Sequence, residues 1–139
     1  MKAVPLSSQN TVEFTESLPF SQHSLLHITP RSLWEQARVG DTYQGNTLES
    51  EGFLHCSNVN QVVAVANTLF RGQKDLVLLL IQTSRVGSPI KYEGATSEVY
   101  PHIYGPLNCD AVIAVSAFLP DEHGEFHLPE EVIRRVGAG

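Results

Sequence analysis

The run LVLLLI, Leu76 to Ile81, constrains this chain more than any other stretch. It is strand-sized, far short of a membrane span, and no polar residue alternates through it to leave one face wet. A strand apolar on both faces needs cover on both, so DLVLLLIQ is expected to lie at the centre of a sheet. The rest of the chain must supply that cover.

The other segments divide accordingly. HSLLHI (His23–Ile28) reads as a strand and TPRSLWEQARVG as the helix after it. Thr29 is the expected N-cap, Pro30 suits the first helical position, and Gly40 suits the stop. Leu33, Trp34 and Ala37 would form that helix's buried stripe. A polar loop, Asp41 to Ser50, leads to EGFLHCS (Glu51–Ser57), read as a strand. Ser57 or Asn58 is then expected to cap a second helix carrying Val62, Val63, Ala66, Leu69 and Phe70, ended by Arg71-Gly72-Gln73. IKYE reads as a short strand, PHIYGPLN as a loop or short extended piece, DAVIAVSAF as a strand and DEHGEF as a turn. PEEVIRRV reads as a short helix with Pro129 near its start.

The pattern is α+β: a split or sandwich-like pair of small sheets with flanking helices. Residues 1–22, rich in Ser, Thr, Gln and Asn, read as a loosely draped N-terminal extension, with a single domain over residues 23–139.

Fifteen acidic against nine basic residues leave a formal charge of −6, which argues against a general grip on nucleic acid. Cys56 and Cys109 lie far apart with no CxxC or Cys/His zinc spacing, as expected for free thiols in a reducing cytoplasm. No apolar core follows the N-terminal lysine, so neither a secretory signal nor a membrane span is expected.

Within EGFLHCS, strand alternation puts Phe53, His55 and Ser57 on one face and Leu54 and Cys56 on the other. The apolar pair suits the core. An aromatic ring, an imidazole and a hydroxyl together suit a pocket wall. His55 and Cys56 would point apart, so they cannot form a dyad. His27 would look into the same cleft if its strand lay beside this one, and His102 and Tyr104 would share a face if PHIYG were extended. These groups can hold hydroxyls or amides, and imidazole can act as acid or base near neutral pH. His123 and His127 are expected at the surface, and Glu93 and Glu98 in solvent. Three histidines with Glu93 or Glu98 could in principle bind zinc, but no HExxH-like spacing supports it and no metal is assigned. GxSxG, P-loop and GxGxxG motifs are all absent.

The ordered motifs LLHI, TPRSLWEQA, SEGFLHCS, FRGQKDLVLLLI, YPHIYGPL and DAVIAV resemble the bacterial and plant domain-of-unknown-function family 952, over about His23 to Phe118. SEGFLHCS and PHIYGPL are the specific parts. That family in turn resembles the ADP-ribosyltransferases in fold, which implies two small, mostly antiparallel sheets forming a cleft that clasps NAD. The resemblance implies that His27 and His55 are the catalytic candidates. It implies ligand-binding roles for Phe53, Ser57, His102, Tyr104 and Arg71, with NAD as a substrate rather than a cofactor. Many such transferases use a glutamate against the oxocarbenium-like sugar, and only Glu93 and Glu98 are candidates here. Relatives acting on an RNA 2′-phosphate use arginines and histidines instead. Arg31, Arg71 and Arg85 could serve, although the acidic balance does not favour an RNA acceptor. The alternative expectation is a domain of the same fold that binds a nucleotide or small metabolite without turnover.

Overall fold

A computed structural model describes residues 23–45 and 47–137, and the expected N-terminal extension lies outside the described residues. Eight strands and four α-helices are found among them: β1 (Ser24–Pro30), α1 (Arg31–Val39), β2 (Thr42–Tyr43), α2 (Leu48–Glu51), β3 (Leu54–His55), α3 (Val62–Leu69), β4 (Leu76–Gln82), β5 (Ile90–Glu93), β6 (Tyr100–Ile103), β7 (Leu107–Asn108), β8 (Val112–Phe118) and α4 (Glu130–Gly137). Among the described residues all strand pairing is antiparallel, in sheets of order β1-β4-β8, β2-β7 and β3-β6-β5.

The LVLLLI run is the central strand, as its composition requires. Its side chains go alternately to two cores. Val77, Leu79 and Ile81 join Leu25, Trp34, Tyr43, Leu54, Cys56, Ile103 and Leu107 on one face. Leu76, Leu78 and Leu80 join Leu26, Val62, Ala66, Phe118, Phe126 and Val132 on the other. Each fully buried Leu, Ile or Val contributes about 1.5–3 kcal/mol relative to exposure, so this strand anchors both layers.

Local expectations fare unevenly. In α1, Trp34 is buried and Leu33 and Ala37 pack partly against the first core. Gly40 closes the helix by donating its N–H to the Ala37 carbonyl. The cap differs: Thr29 stays in β1 and Pro30 takes the N-cap place with no side-chain bond. Thr29 is committed instead to a buried contact with Tyr43. In α3, Val62 and Ala66 are buried, but Leu69 is largely exposed at the last helical position. EGFLHCS is a strand only at Leu54 and His55. Glu51 ends α2, and Gly52 takes the left-handed conformation (φ 90°) that closes this helix. The expected 41–50 loop contains β2 and most of α2.

Among the described residues one isolated backbone bridge links two of the sheets. Ser57 and Leu26 exchange both backbone hydrogen bonds at 2.8 Å, tying the chain just beyond β3 to the outer edge of β1. No helix among the described residues is long and apolar enough to cross a membrane.

Candidate functional site

The register of the β3-β6-β5 sheet builds an aromatic and imidazole face. His55 lies opposite His102, and His102 opposite Lys91. Alternation sends Leu54, Pro101 and Ile103 inward, while Phe53, His55, His102 and Tyr104 keep some exposure. The two clusters singled out in the sequence, EGFLHCS and PHIYGPL, therefore do supply one surface.

Phe53 is its hub. Its ring stacks on His102 at 4.2 Å between centroids and 19° between planes, and lies 4.9 Å from His55 and 5.1 Å from Tyr104. This cover leaves only 12% of the His102 side chain exposed, against 52% for His55.

Each histidine has a carboxylate partner. His102 Nδ1 donates to Glu93 Oε1 at 2.9 Å, and Tyr104 Oη donates to the same oxygen at 2.6 Å. The phenol and imidazole bonds hold the Glu93 carboxyl below its usual pKa, and the Tyr104 phenol is raised in return. With Nδ1 bonded to Glu93, Nε2 is the His102 ring nitrogen not taken up by the carboxylate. His55 Nε2 lies 2.9 Å from Glu51 Oε1. Lys91 Nζ sits 4.6 Å from the centre of the Tyr104 ring, a cation–π contact.

Glu51 and Lys91 are the members sequence reasoning passed over. Glu51 ends α2 and Gly52 turns the chain before β3, so no regular period links it to His55, whereas the alternation of IKYE puts Lys91 and Glu93 on one face. Glu98 is elsewhere, accepting from Gln61 Nε2 at 2.7 Å.

His27 reaches the site from beneath. It is 8% exposed. Its Nδ1 donates to the His55 carbonyl at 2.6 Å, and its Nε2 lies 2.7 Å from Tyr43 Oη, which is 2.7 Å from Thr29 Oγ1. Burial lowers its pKa to about 4, so the ring is neutral, with its one proton on Nδ1 facing the carbonyl. Nε2 must then accept the Tyr43 proton, and Thr29 donates to the phenol oxygen. Burial pushes the Tyr43 phenol up to about 12, which keeps that proton in place.

Ser57 is buried at the Leu26 bridge. Arg71 is engaged with Glu125 at 3.5 Å and the His123 carbonyl at 3.4 Å. Arg31 pairs with Asp75, and Arg85 donates to the Asp110 carbonyl. The arginines are thus dispersed rather than gathered at the aromatic face.

Among the described residues, Asp121, Glu125 and His127 are the one set whose ligand atoms could share a metal ion, and all three are exposed. Asp121 already accepts the backbone N–H groups of His123 and Glu125 and contacts His127 Nε2 at 2.9 Å, so the turn explains the cluster. Two recesses of about 220 Å³ lie away from the aromatic face. One is lined by Leu33, Gln36, Ala37, Thr42, Tyr43, Gln44 and Gly45, the other by His23, Gln82, Thr83 and Ser84.

The fold is shared with protein CC0527 from Caulobacter crescentus. Its crystal structure is similar with a TM-score of 0.72 at 27% identity, covering 78% of this chain and 97% of that one. Its solution structure gives 0.65 at 28% identity, covering 74% and 90%. No curated protein matches the chain. The profile of the family DUF952, described as proteins of unknown function, matches residues 28–115, and on that match the chain belongs to DUF952.

Proposed function

We propose that the face formed by Phe53, His55, His102, Tyr104 and Glu93 binds a small molecule bearing a flat ring and performs proton transfer on it. The observation that carries this reading is the shared Glu93 oxygen, which orients His102 and Tyr104 together beside a stacking aromatic ring. Phe53 and Tyr104 supply ring surface for stacking. His102 Nε2 is the base, its ring fixed by Glu93. His27 and Ser57 act as positioning residues: one holds the His55 backbone, the other ties the strand to β1.

The family's likeness to the ADP-ribosyltransferase fold makes a nicotinamide nucleotide the ligand to try first. In that reaction the C–N bond breaks toward the leaving nicotinamide, which departs neutral, and positive charge develops at the ribose. Glu93 is the anion available to face it. An acceptor hydroxyl attacking the ribose would give its proton to His102. A second reading, binding without turnover, is favoured by the exposure of the His55 side chain, 52%, which leaves that imidazole in water rather than in an enclosed site.

Calorimetric titration of NAD, with free nicotinamide assayed in the same samples, separates them. Binding with release supports the transferase reading, and binding without release supports the second. No binding at millimolar NAD would remove the nucleotide assignment.

A further inference from the structure

The two outer edges of the β1-β4-β8 sheet are treated differently. The β1 edge is met by Ser57. The β8 edge is met by nothing among the described residues, since β8 pairs with β4 alone. An open row of backbone N–H and C=O groups is a template for another strand, and proteins that must stay apart blunt such edges with lysine or proline. Here Val112 to Phe118 contains neither, and no residue from Ala111 to Pro120 is charged. The one irregularity in pairing lies between Leu80 and Ile81, at the start of β8, so Ala114 to Phe118 is regularly paired.

The side chains add to this. On β4, Val77 and Leu79 are fully buried. Opposite them, Ala117 is exposed and Val115 is 37% exposed, while Leu119 beyond them is 60% exposed. On this face core cover therefore thins beyond β4, and Ile113, Val115, Ala117 and Leu119 form an apolar strip along the open edge.

We propose that β8 pairs antiparallel with β8 of a second copy of this chain, joining two three-stranded sheets into one of six strands. The strip's match to itself selects the occupant. Two chains each carrying −6 approach with least repulsion along a strip that has no charge. A two-fold axis lays this uncharged stretch against itself. About Ser116, for instance, Val115 opposes Ala117 and Ile113 opposes Leu119, so apolar side chains meet apolar side chains. No charged side chain on the strand is present to select a different partner.

Sedimentation equilibrium of the full chain, from low to high micromolar, tests this. The expected result is the mass of two chains at the upper end, halved in Val115→Lys with circular dichroism unchanged. The mass of one chain throughout would overturn the proposal, as would a Val115→Lys variant that stays at two. Should that variant fail to fold, hydrogen exchange on the unaltered protein decides. The β8 amides that do not bond β4 should exchange more slowly at high concentration, and concentration-independent exchange would overturn the pairing.

Discussion

Phe53 lies almost flat against His102, 4.2 Å between ring centroids, although Phe53 only leads into β3 and His102 belongs to β6. One ring therefore both shields an imidazole and offers its edges to two other side chains, His55 and Tyr104. Removing it should loosen the whole face without opening the core, because Phe53 is only half-buried while Leu54 beside it is fully covered.

Phe53→Ala is accordingly expected to lower stability by about 0.5–1.5 kcal/mol beyond the lost burial and to weaken nucleotide binding at least tenfold. Urea denaturation and calorimetric titration would read the two effects. Affinity unchanged in the folded variant would remove Phe53 from the binding surface.

Glu93 and Tyr104 perturb one another, so each should report on the other's replacement. In Glu93→Gln the Tyr104 phenol loses the carboxylate that raises its pKa and should titrate lower, nearer the ordinary value for tyrosine. Ultraviolet titration of the phenolate would show it. In Tyr104→Phe the Glu93 carboxyl should titrate higher, because its largest stabilising bond is gone. A folded-state pKa held down means this pair adds stability above the unfolded carboxyl's pKa, lost as pH falls through the folded one.

His27 makes the fold sensitive to mild acid. Its folded pKa of about 4 lies below the unfolded value of 6.5, so between them the unfolded chain binds a proton that the native one refuses. Stability is complete above 6.5 and falls as pH drops toward 4, by on the order of 3 kcal/mol over the window. His27→Gln should be less stable at neutral pH but should lack this component of the slope. Chemical denaturation of both proteins at several pH values from 7.5 to 4.5, roughly spanning the window, would separate it from the other titrating groups. Equal slopes would show that the imidazole is not held neutral.

The thiols should differ in reactivity. Burial raises Cys56 to about 12, whereas Cys109 is partly exposed with a smaller upward shift. A disulfide reagent at slightly alkaline pH is expected to modify Cys109 slowly and Cys56 only on unfolding. Rapid reaction of two thiols in the native protein would contradict the burial of Cys56.

The long elements were legible in the sequence because each carries its own period. LVLLLI could only be central, and DAVIAVSAF, α1 and α4 emerge close to their expected places. β2, β3 and β7 hold two residues each, too few for any alternation to register, so the pattern of EGFLHCS suggests a longer strand than the one that forms. The grouping of Phe53, His55, His102 and Tyr104 followed from alternation within two short motifs. Glu93's place did not, since it depends on the pairing of β5 with β6, a relation between separate segments. The inward turn of His27 was equally hidden. Ser24 to His27 is buried at every position, and a strand covered on both faces gives alternation nothing to sort.

Core and site share β3 residue by residue: Leu54 belongs to one, His55 to the other, and Ser57 locks the stretch to Leu26 three residues after Leu54. This has an evolutionary corollary. Descendants of this sequence can exchange the side chains at Phe53, His55, His102 and Tyr104 and so acquire different chemistry on an unchanged frame. They cannot gain or lose one residue between Gly52 and Ser57, because such an indel would turn the imidazole into the core and Leu54 into water at a single stroke.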